Sequence, residues 1–125
     1  MMGTDRRRDL GAAGESAACA DLERRGYRIL ARNVRADRVE LDVVAERAGV
    51  VVFVEVKTRR TEACGAAAEA VDARKRARIA RGAAAWLRAS GRRPRRVRFD
   101  VVTCEAAPDG AFRVTHWEGA FDAGD

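Results

Sequence analysis

The sequence predicts an α/β fold in which helices cover a mixed β-sheet. Apolar residues recur with helical spacing near the start of the chain and again after residue 71, and strand-like runs lie between and after these segments. The predicted order is one helix, three strands, a second helix and two strands, as in a three-layer sandwich. The chain has 125 residues, 47% of them hydrophobic, which suits a single core. We interpret residues 10–120 as one domain, between a flexible basic arm over residues 1–9 and a tail over residues 121–125.

The first helix is predicted over residues 10–25 and ends at Gly26, a residue that suits a helix C-terminus. Glu15 falls on the same face as Ala18 and Leu22, the side expected to meet the core. Burying an unpaired carboxylate is costly. Glu15 is therefore either a functional residue or a residue at the edge of the face whose carboxylate reaches water.

Three predicted strands follow, over residues 27–34, 39–45 and 50–58. The third is apolar on both faces until it reaches Glu55, which is typical of a central strand covered on both sides. A hairpin turn over residues 46–49 is expected to join the second strand to the third.

Alternation places carboxylates and a lysine on one face of this predicted sheet. In the second strand, Val39, Leu41 and Val43 should share a face with the even-numbered valines of the third strand. Because a one-residue slip would set carboxylates against valines, this register is strongly specified. The opposite face then collects the charged side chains of both strands: Glu40, Asp42, Glu55 and Lys57.

The second helix is predicted to start at its cap, Asp72, and to end before Gly91. Two strands, over residues 98–104 and 111–117, are expected after it. The apolar side chains of the helix form a stripe that should face the core: Val71, Ile79, Ala83, Trp86 and Leu87.

The positive charge is concentrated in one part of the chain. The net charge is +6, yet residues 71–98 alone carry eleven basic side chains and one acidic side chain. Such a concentration suits a polyanionic partner, most simply nucleic acid. The alternative is a solvated helix face in an arginine-rich protein.

Asp42 and Glu55 form a candidate site for a hard divalent cation such as Mg²⁺ or Mn²⁺. Such ions prefer oxygen ligands and commonly take one or two carboxylates together with phosphate oxygens of the substrate. The backbone carbonyl of Val56 is a candidate third ligand. A metal there would polarise a phosphoryl oxygen and activate a water molecule. Lys57 should project from the same face as Glu55, where it could orient that water or stabilise developing negative charge.

Lys57 stands out because the chain has only two lysines, Lys57 and Lys75, among its 25 basic residues. The pKa of a lysine can be tuned by its surroundings, whereas arginine stays charged. This residue choice indicates a chemical role for Lys57. The alternative is an ion pair between Glu55 and Lys57 at the surface end of the strand.

Several motifs together resemble a known nuclease superfamily. The stretch 50–59 contains the run VVFVEVKTR, and Glu40 and Asp42 precede it. The chain also contains a GxxGE pattern, the run GYRILARN over residues 26–33 and the run RFDVV over residues 98–102. This set resembles the PD-(D/E)xK nucleases. It is most similar to the bacterial family UPF0102, or YraN-like, which resembles archaeal Holliday-junction resolvases in fold.

The resemblance implies a restriction-endonuclease-like three-layer sandwich. It also implies four active-site residues: Glu15, Asp42, Glu55 and Lys57. Glu40 is typical of the family as well and is a candidate auxiliary residue. The family usually has glycine before Glu40, whereas this chain has Val39, a residue that suits a strand. Because related resolvases act as dimers, the resemblance allows for a homodimer.

We expect a metal-dependent endonuclease that acts on phosphodiester bonds, on DNA in preference to RNA, with branched or structured DNA as one substrate class. The alternatives are a nucleic-acid-binding module without turnover and a protein-interaction factor whose basic helix meets an acidic partner. The candidate nucleic-acid-binding residues are basic side chains around the site: Arg59, Arg60, Arg74, Lys75, Arg78 and Arg81.

We expect a cytoplasmic protein without membrane contact. The first residues are polar and lack the apolar stretch of a signal peptide. The longest apolar run, residues 50–54, is far shorter than a membrane span. The cysteines, Cys19, Cys64 and Cys104, lie far apart without CxxC spacing, which argues against a disulfide scaffold or a zinc ribbon.

Overall fold

The computed structural model describes residues 2–60 and 72–121, with side chains from residue 9 onward. Within these ranges the elements follow the predicted order: α1 (Met2–Arg24), β1 (Arg28–Ala36), β2 (Val39–Arg47), β3 (Val50–Arg60), α2 (Ala73–Ser90), β4 (Arg96–Ala106) and β5 (Phe112–Phe121). The strands form one sheet in the order β1-β2-β3-β4-β5. Neighbouring strands are antiparallel except β3 and β4, which are parallel because α2 lies in the crossover between them.

The sheet lies between the two helices. One core, beside α2, contains buried side chains of the sheet and the helix, among them Val44, Phe53, Phe99, Ile79 and Ala83. The other core, beside α1, includes Ala18, Leu22, Val43, Val52 and Val102. Adjacent residues of β3 belong to different cores, as expected for a strand covered on both faces. The predicted three-layer α/β sandwich is confirmed.

The predicted ends of α2 are confirmed as well. Asp72 accepts a hydrogen bond of 2.9 Å from the backbone N–H of Lys75, which caps the start of the helix. Gly91 has a left-handed φ of 70°, and its N–H donates to the carbonyl of Leu87 at 3.1 Å. Of the predicted core stripe, Ile79 and Ala83 are buried and Trp86 and Leu87 pack against the same core, whereas Val71 lies outside the described residues.

The largest differences from the predicted element boundaries are at the start of α1 and at the end of β5. α1 begins at Met2 and not at residue 10, since arginine is a good helix former and a charged segment therefore need not end a helix. β5 continues to Phe121, whose ring stacks on Phe99 with centroids 5.1 Å apart, because pairing with β4 extends beyond the alternating apolar run. Residues 122–125 lie outside the described residues. The division into arm, domain and tail stays a prediction.

β2 does not keep the same neighbours along its length. Its pairing with β3 extends only as far as Val43 and Val54, whereas its pairing with β1 continues to Val39. Val43 faces the core beside α1, but Val39 and Leu41 face the core beside α2. The predicted common face of Val39, Leu41 and Val43 is therefore wrong. A strand that is paired on one edge only is free to twist away from its former neighbour.

Candidate functional site

Asp42 lies at the point where β2 leaves β3. Its Oδ2 accepts a hydrogen bond of 2.9 Å from the backbone N–H of Val56. The carboxylate thus takes the place that a backbone carbonyl of β2 would fill in a continuous antiparallel ladder. In such a ladder a residue exchanges its N–H and C=O bonds with the same neighbouring strand, so the Val56 carbonyl faces the same side of β3 as Asp42.

Glu55 contacts both lysines of the chain. Its Oε2 lies 2.5 Å from the Nζ of Lys75 and 3.6 Å from the Nζ of Lys57. The Glu55 and Lys57 side chains are only 12% and 23% exposed, so theirs is not an ion pair at the surface. Lys75 reaches Glu55 from the first turn of α2. The sequence does not predict this contact, because the basic spacing of α2 places Lys75 among the candidate phosphate contacts.

Burial and neighbouring charges shift the pKa values of three side chains at this site. Burial, and next the negative charge of Glu55, raise the pKa of Asp42 to about 7, although the hydrogen bond from Val56 acts against them. Burial and the contact with Lys75 lower the pKa of Lys57. Burial would also lower the pKa of Lys75, but its hydrogen bonds to Glu55 and Lys57 outweigh burial and raise it. The two carboxylates and two amines therefore act on one another electrostatically.

Glu15 approaches the same site from α1, with 9% of its surface exposed. Its Oε1 accepts a hydrogen bond of 2.7 Å from the Nδ2 of Asn33 and lies 3.4 Å from Arg32 Nη2. After burial and Glu55, the charge of Glu15 also raises the pKa of Asp42. The predicted proximity of Glu15 to the Asp42–Glu55 pair is thus consistent with these interactions, and its carboxylate is hydrogen-bonded instead of unpaired.

Gly14 allows α1 to approach β3 closely enough to present Glu15. A Cβ at this position would lie 2.1 Å from the Oγ1 of Thr58, so a larger residue would push the helix or the threonine away. Glu15, Asp42 and Lys57 line one cleft of about 610 Å³ on this side of the sheet. Three of the four predicted active-site residues therefore face a common space.

A second cleft, of about 290 Å³, lies beside α2 and is lined by Asp42, Glu55 and Lys75. It is large enough for several water molecules or a hydrated ion. Arg35 and Arg38 also line this cleft. Sequence reasoning missed both, because arginines occur throughout the chain and no spacing distinguishes these two.

The predicted nucleic-acid-binding residues are found in different environments. Arg78 lines the cleft beside α2, and Arg74 is exposed at the start of that helix. Arg81 forms an ion pair of 3.1 Å with Asp37. Arg60 is exposed at the end of β3, and Arg59 beside it is partly buried. Glu40 is exposed and lines both clefts.

A second charged cluster is centred on Asp100, which is fully buried. Arg98 donates two hydrogen bonds of 2.9 Å to this carboxylate, and His116 Nε2 lies 2.6 Å from it. Arg98 also donates to the hydroxyl of Tyr27 at 2.5 Å. Burial alone would raise the pKa of Asp100, but the bonds from His116 and Arg98 hold it below its ordinary value. Through Arg98, His116 and Tyr27, the cluster ties β4 and β5 to the residue directly before β1.

Comparison with known proteins identifies the family. The family model described as "Uncharacterised protein family UPF0102" matches residues 14–104. The chain belongs to the UPF0102 family. A UPF0102 protein of Symbiobacterium thermophilum is 49% identical over 116 residues, which cover 93% of this chain and 98% of the relative. UPF0102 proteins of Corynebacterium efficiens and Geobacter sulfurreducens are 48% and 41% identical, over 90% and 96% of this chain and 92% and 94% of their own lengths.

The UPF0102 match includes the whole lining of the cleft beside α2, most of the lining of the cleft beside α1, and Arg98 and Asp100 of the buried cluster, whereas His116 lies beyond it. The description of the family names no activity. Neither helix in the described ranges is long and apolar enough to cross a membrane.

Proposed function

We propose that this UPF0102 protein is a metal-dependent endonuclease that hydrolyses phosphodiester bonds in nucleic acid. The single observation that carries the proposal is the position of Asp42, whose carboxylate fills the gap between β2 and β3 and contacts Val56. Glu55 and the amines of Lys57 and Lys75, which contact Glu55, lie close enough to Asp42 to act on its charge. Acidic groups that can bind a cation, next to amines that can stabilise negative charge, are what hydrolysis of a phosphodiester requires.

Asp42, Glu55 and the carbonyl of Val56 would hold Mg²⁺ or Mn²⁺. Burial and the charge of Glu55 raise the pKa of Asp42 to about 7, so the ionised pair would be stabilised by an added cation. Among the side chains of residues 9–60 and 72–121, no three from His, Cys, Asp or Glu converge to hold a metal. The other ligands would be water and substrate oxygens, a pattern that suits Mg²⁺. When bound, the ion supplies Lewis acidity toward a phosphoryl oxygen.

Lys57 and Glu15 would act from the cleft beside α1, which both line. We assign Lys57 to orienting the attacking water and to stabilising the negative charge that develops on the phosphate. Glu15, held by Asn33, would orient the same water through a hydrogen bond. Glu40 lines the same cleft and is an auxiliary residue in this proposal.

The proposed substrate is DNA in preference to RNA, with branched or structured DNA as one class. Support comes from the basic side chains beside the acidic pair, which suit phosphates and not particular bases. Arg74 and Arg78 on α2, and Arg59 and Arg60 at the end of β3, would contact the backbone on either side of the site. A homodimer, as in the resolvases that the sequence resembles, would present two such sites.

A nucleic-acid-binding module without turnover is the second candidate. It is favoured by the contact of 2.5 Å between Lys75 and Glu55, since an amine that neutralises Glu55 competes with a cation for the same carboxylate. In this alternative the lysines and arginines bind phosphate, and Asp42 has only the structural role of bonding to Val56.

The test is incubation of the purified protein with single-stranded, duplex and branched DNA and with RNA, in Mg²⁺, in Mn²⁺ and in chelator. The proposal predicts cleavage that requires metal. Asp42→Asn should abolish cleavage while nucleic-acid binding survives, and Lys57→Arg should lose most activity although the charge is kept. Cleavage by Asp42→Asn at the wild-type rate would refute the mechanism. Absence of cleavage in wild type, together with salt-sensitive binding, would support the binding module.

A further inference from the structure

Three arginines lie beside the acidic pair, in the cleft next to α2. Arg35, Arg38 and Arg78 line the cleft that also contains Asp42 and Glu55. Among the residues that the structure describes, none of these three arginines forms an ion pair, whereas the neighbouring Arg81 is paired with Asp37 at 3.1 Å. Three guanidinium groups thus border the site with their charge available to a ligand.

The backbone at Arg38 is unusual for an arginine. Ala36 pairs with Val39, so β1 and β2 are joined by a turn of two residues, Asp37 and Arg38, with left-handed φ values of 49° and 65°. Turns of this kind favour Asn or Asp followed by Gly, because glycine adopts a positive φ without steric strain. An arginine at the second position is conformationally disfavoured, and strained non-glycine residues are concentrated at functional sites. A function of the Arg38 side chain would explain why an arginine, and not a glycine, occupies this position.

The turn is held firmly against α2. A Cβ at Gly82 would lie 2.8 Å from the Cβ of Val39 and 3.4 Å from the carbonyl oxygen of Ala36. The backbone of α2 at Gly82 therefore packs closely against the β1–β2 hairpin. The ion pair between Arg81 and Asp37 closes the same junction. The guanidinium groups from the hairpin and from α2 are therefore attached to one packed unit, as a preformed binding site requires.

We infer that Arg38, with Arg35 and Arg78, forms a subsite for a backbone phosphate of nucleic acid next to the Asp42–Glu55 pair. The planar guanidinium group matches the geometry of phosphate oxygens. The carboxylates deeper in the cleft would repel that phosphate, so it binds at the arginine border and leaves the adjacent phosphodiester over the acidic pair. The subsite would position the strand without reading its sequence. For the identity of the polyanion, this inference rests on the proposed function.

Arg38→Gly separates ligand binding from folding, because glycine suits the turn. Binding of a fluorescently labelled duplex oligonucleotide is measured by anisotropy in chelator, at several salt concentrations, alongside thermal unfolding. We expect about 3–10-fold weaker binding and a salt slope lower by about one, with Tm equal to or above that of wild type. Arg113→Ala, on the opposite edge strand β5, removes the same charge away from the cleft and should bind as wild type does.

Wild-type affinity in Arg38→Gly, or an equal loss in Arg113→Ala, would overturn the subsite. If Arg38→Gly folds poorly, Arg38→Ala and Arg38→Lys compare loss and retention of charge in the same strained backbone, and equal binding by these two also overturns it. Metal-dependent cleavage with no binding defect in Arg38→Gly would leave the nuclease proposal standing without the subsite. Weaker binding by Arg38→Gly in a protein without any cleavage would leave the subsite standing without the nuclease.

Discussion

Replacing the carboxylate of Asp42 should stabilise the metal-free protein at alkaline pH. Asp42→Asn keeps the size of the side chain and an oxygen that can accept the hydrogen bond from Val56. It removes a negative charge from a site in which burial and Glu55 raise the pKa of Asp42 from 3.8 to about 7. Removing an unfavourable charge should therefore increase the free energy of unfolding.

The sign and size of this change in the free energy of unfolding follow from the raised pKa of Asp42. Between pH 3.8 and about 7 the folded protein holds a proton on Asp42 that the unfolded chain has lost, so this residue makes stability fall as pH rises through that window. Above pH 7, the difference between the pKa of Asp42 in the folded protein and in the unfolded chain corresponds to about 4 kcal/mol of lost stability. Because water that enters the two clefts screens part of it, we expect Asp42→Asn to be more stable by about 1–3 kcal/mol at pH 8.5. The gain should shrink as pH falls toward 5.

The assay is urea unfolding in chelator at pH 5 to 9, with Asp9→Asn as the matched control. Asp9 is an exposed residue of α1 that lines neither cleft, so the same chemical change there should leave stability nearly unaffected at every pH. A variant Asp42→Asn that is less stable than wild type at pH 8.5 would refute the reasoning. So would a stability difference that does not change with pH.

Three further predictions concern packing, the buried cluster and binding. Gly82→Ala should destabilise the protein by about 1–3 kcal/mol in urea unfolding, despite the better helix propensity of alanine, because its Cβ would lie 2.8 Å from a valine Cβ of β2. Asp100→Asn should cost about 3–5 kcal/mol in the same assay, since Arg98 would lose its buried counter-charge. Arg74→Ala combined with Arg78→Ala should reduce the salt slope of nucleic-acid binding by about two, and an unchanged slope would mean that α2 faces another partner.

The architecture could be predicted from the sequence because its signals are local. The cap at Asp72 and the glycine at Gly91 fix the ends of α2, and both residues take the expected roles. β3 is apolar on both faces until Glu55, and a strand with that pattern has to be central. The start of α1 could not be predicted, because a charged segment without proline is compatible with a helix but has no apolar periodicity that indicates one.

The faces of β2 could not be predicted, because alternation assumes that a strand keeps its neighbours. Val43 and Leu41 point into different cores since β2 parts from β3 between them, and no residue type in the sequence marks that point. The proximity of Asp42 and Glu55 was nevertheless anticipated. Both residues lie just beyond the last pair of the β2–β3 ladder, so either register brings them near each other.

The long side chains of the site are the hardest to place from sequence. The basic segment predicts a phosphate contact for Lys75, but its flexible stem reaches Glu55 on the sheet. Arg38 lines the cleft from the β1–β2 turn. An arginine does not favour the left-handed conformation that the second residue of this turn adopts. Helical and strand periodicity predict the direction of the Cα–Cβ bond, but they do not predict which group the terminal atoms of a long side chain contact.

The most direct test of the central claim is calorimetric titration of Mn²⁺ into the protein without nucleic acid. Wild type and Asp9→Asn should each bind one ion per chain with matching affinity, and more tightly at pH 8.5 than at pH 6, because protons compete for Asp42. Asp42→Asn should bind at least about 10-fold more weakly. Equal binding by Asp42→Asn and wild type, or no binding by wild type, would contradict a metal site built on Asp42 and Glu55.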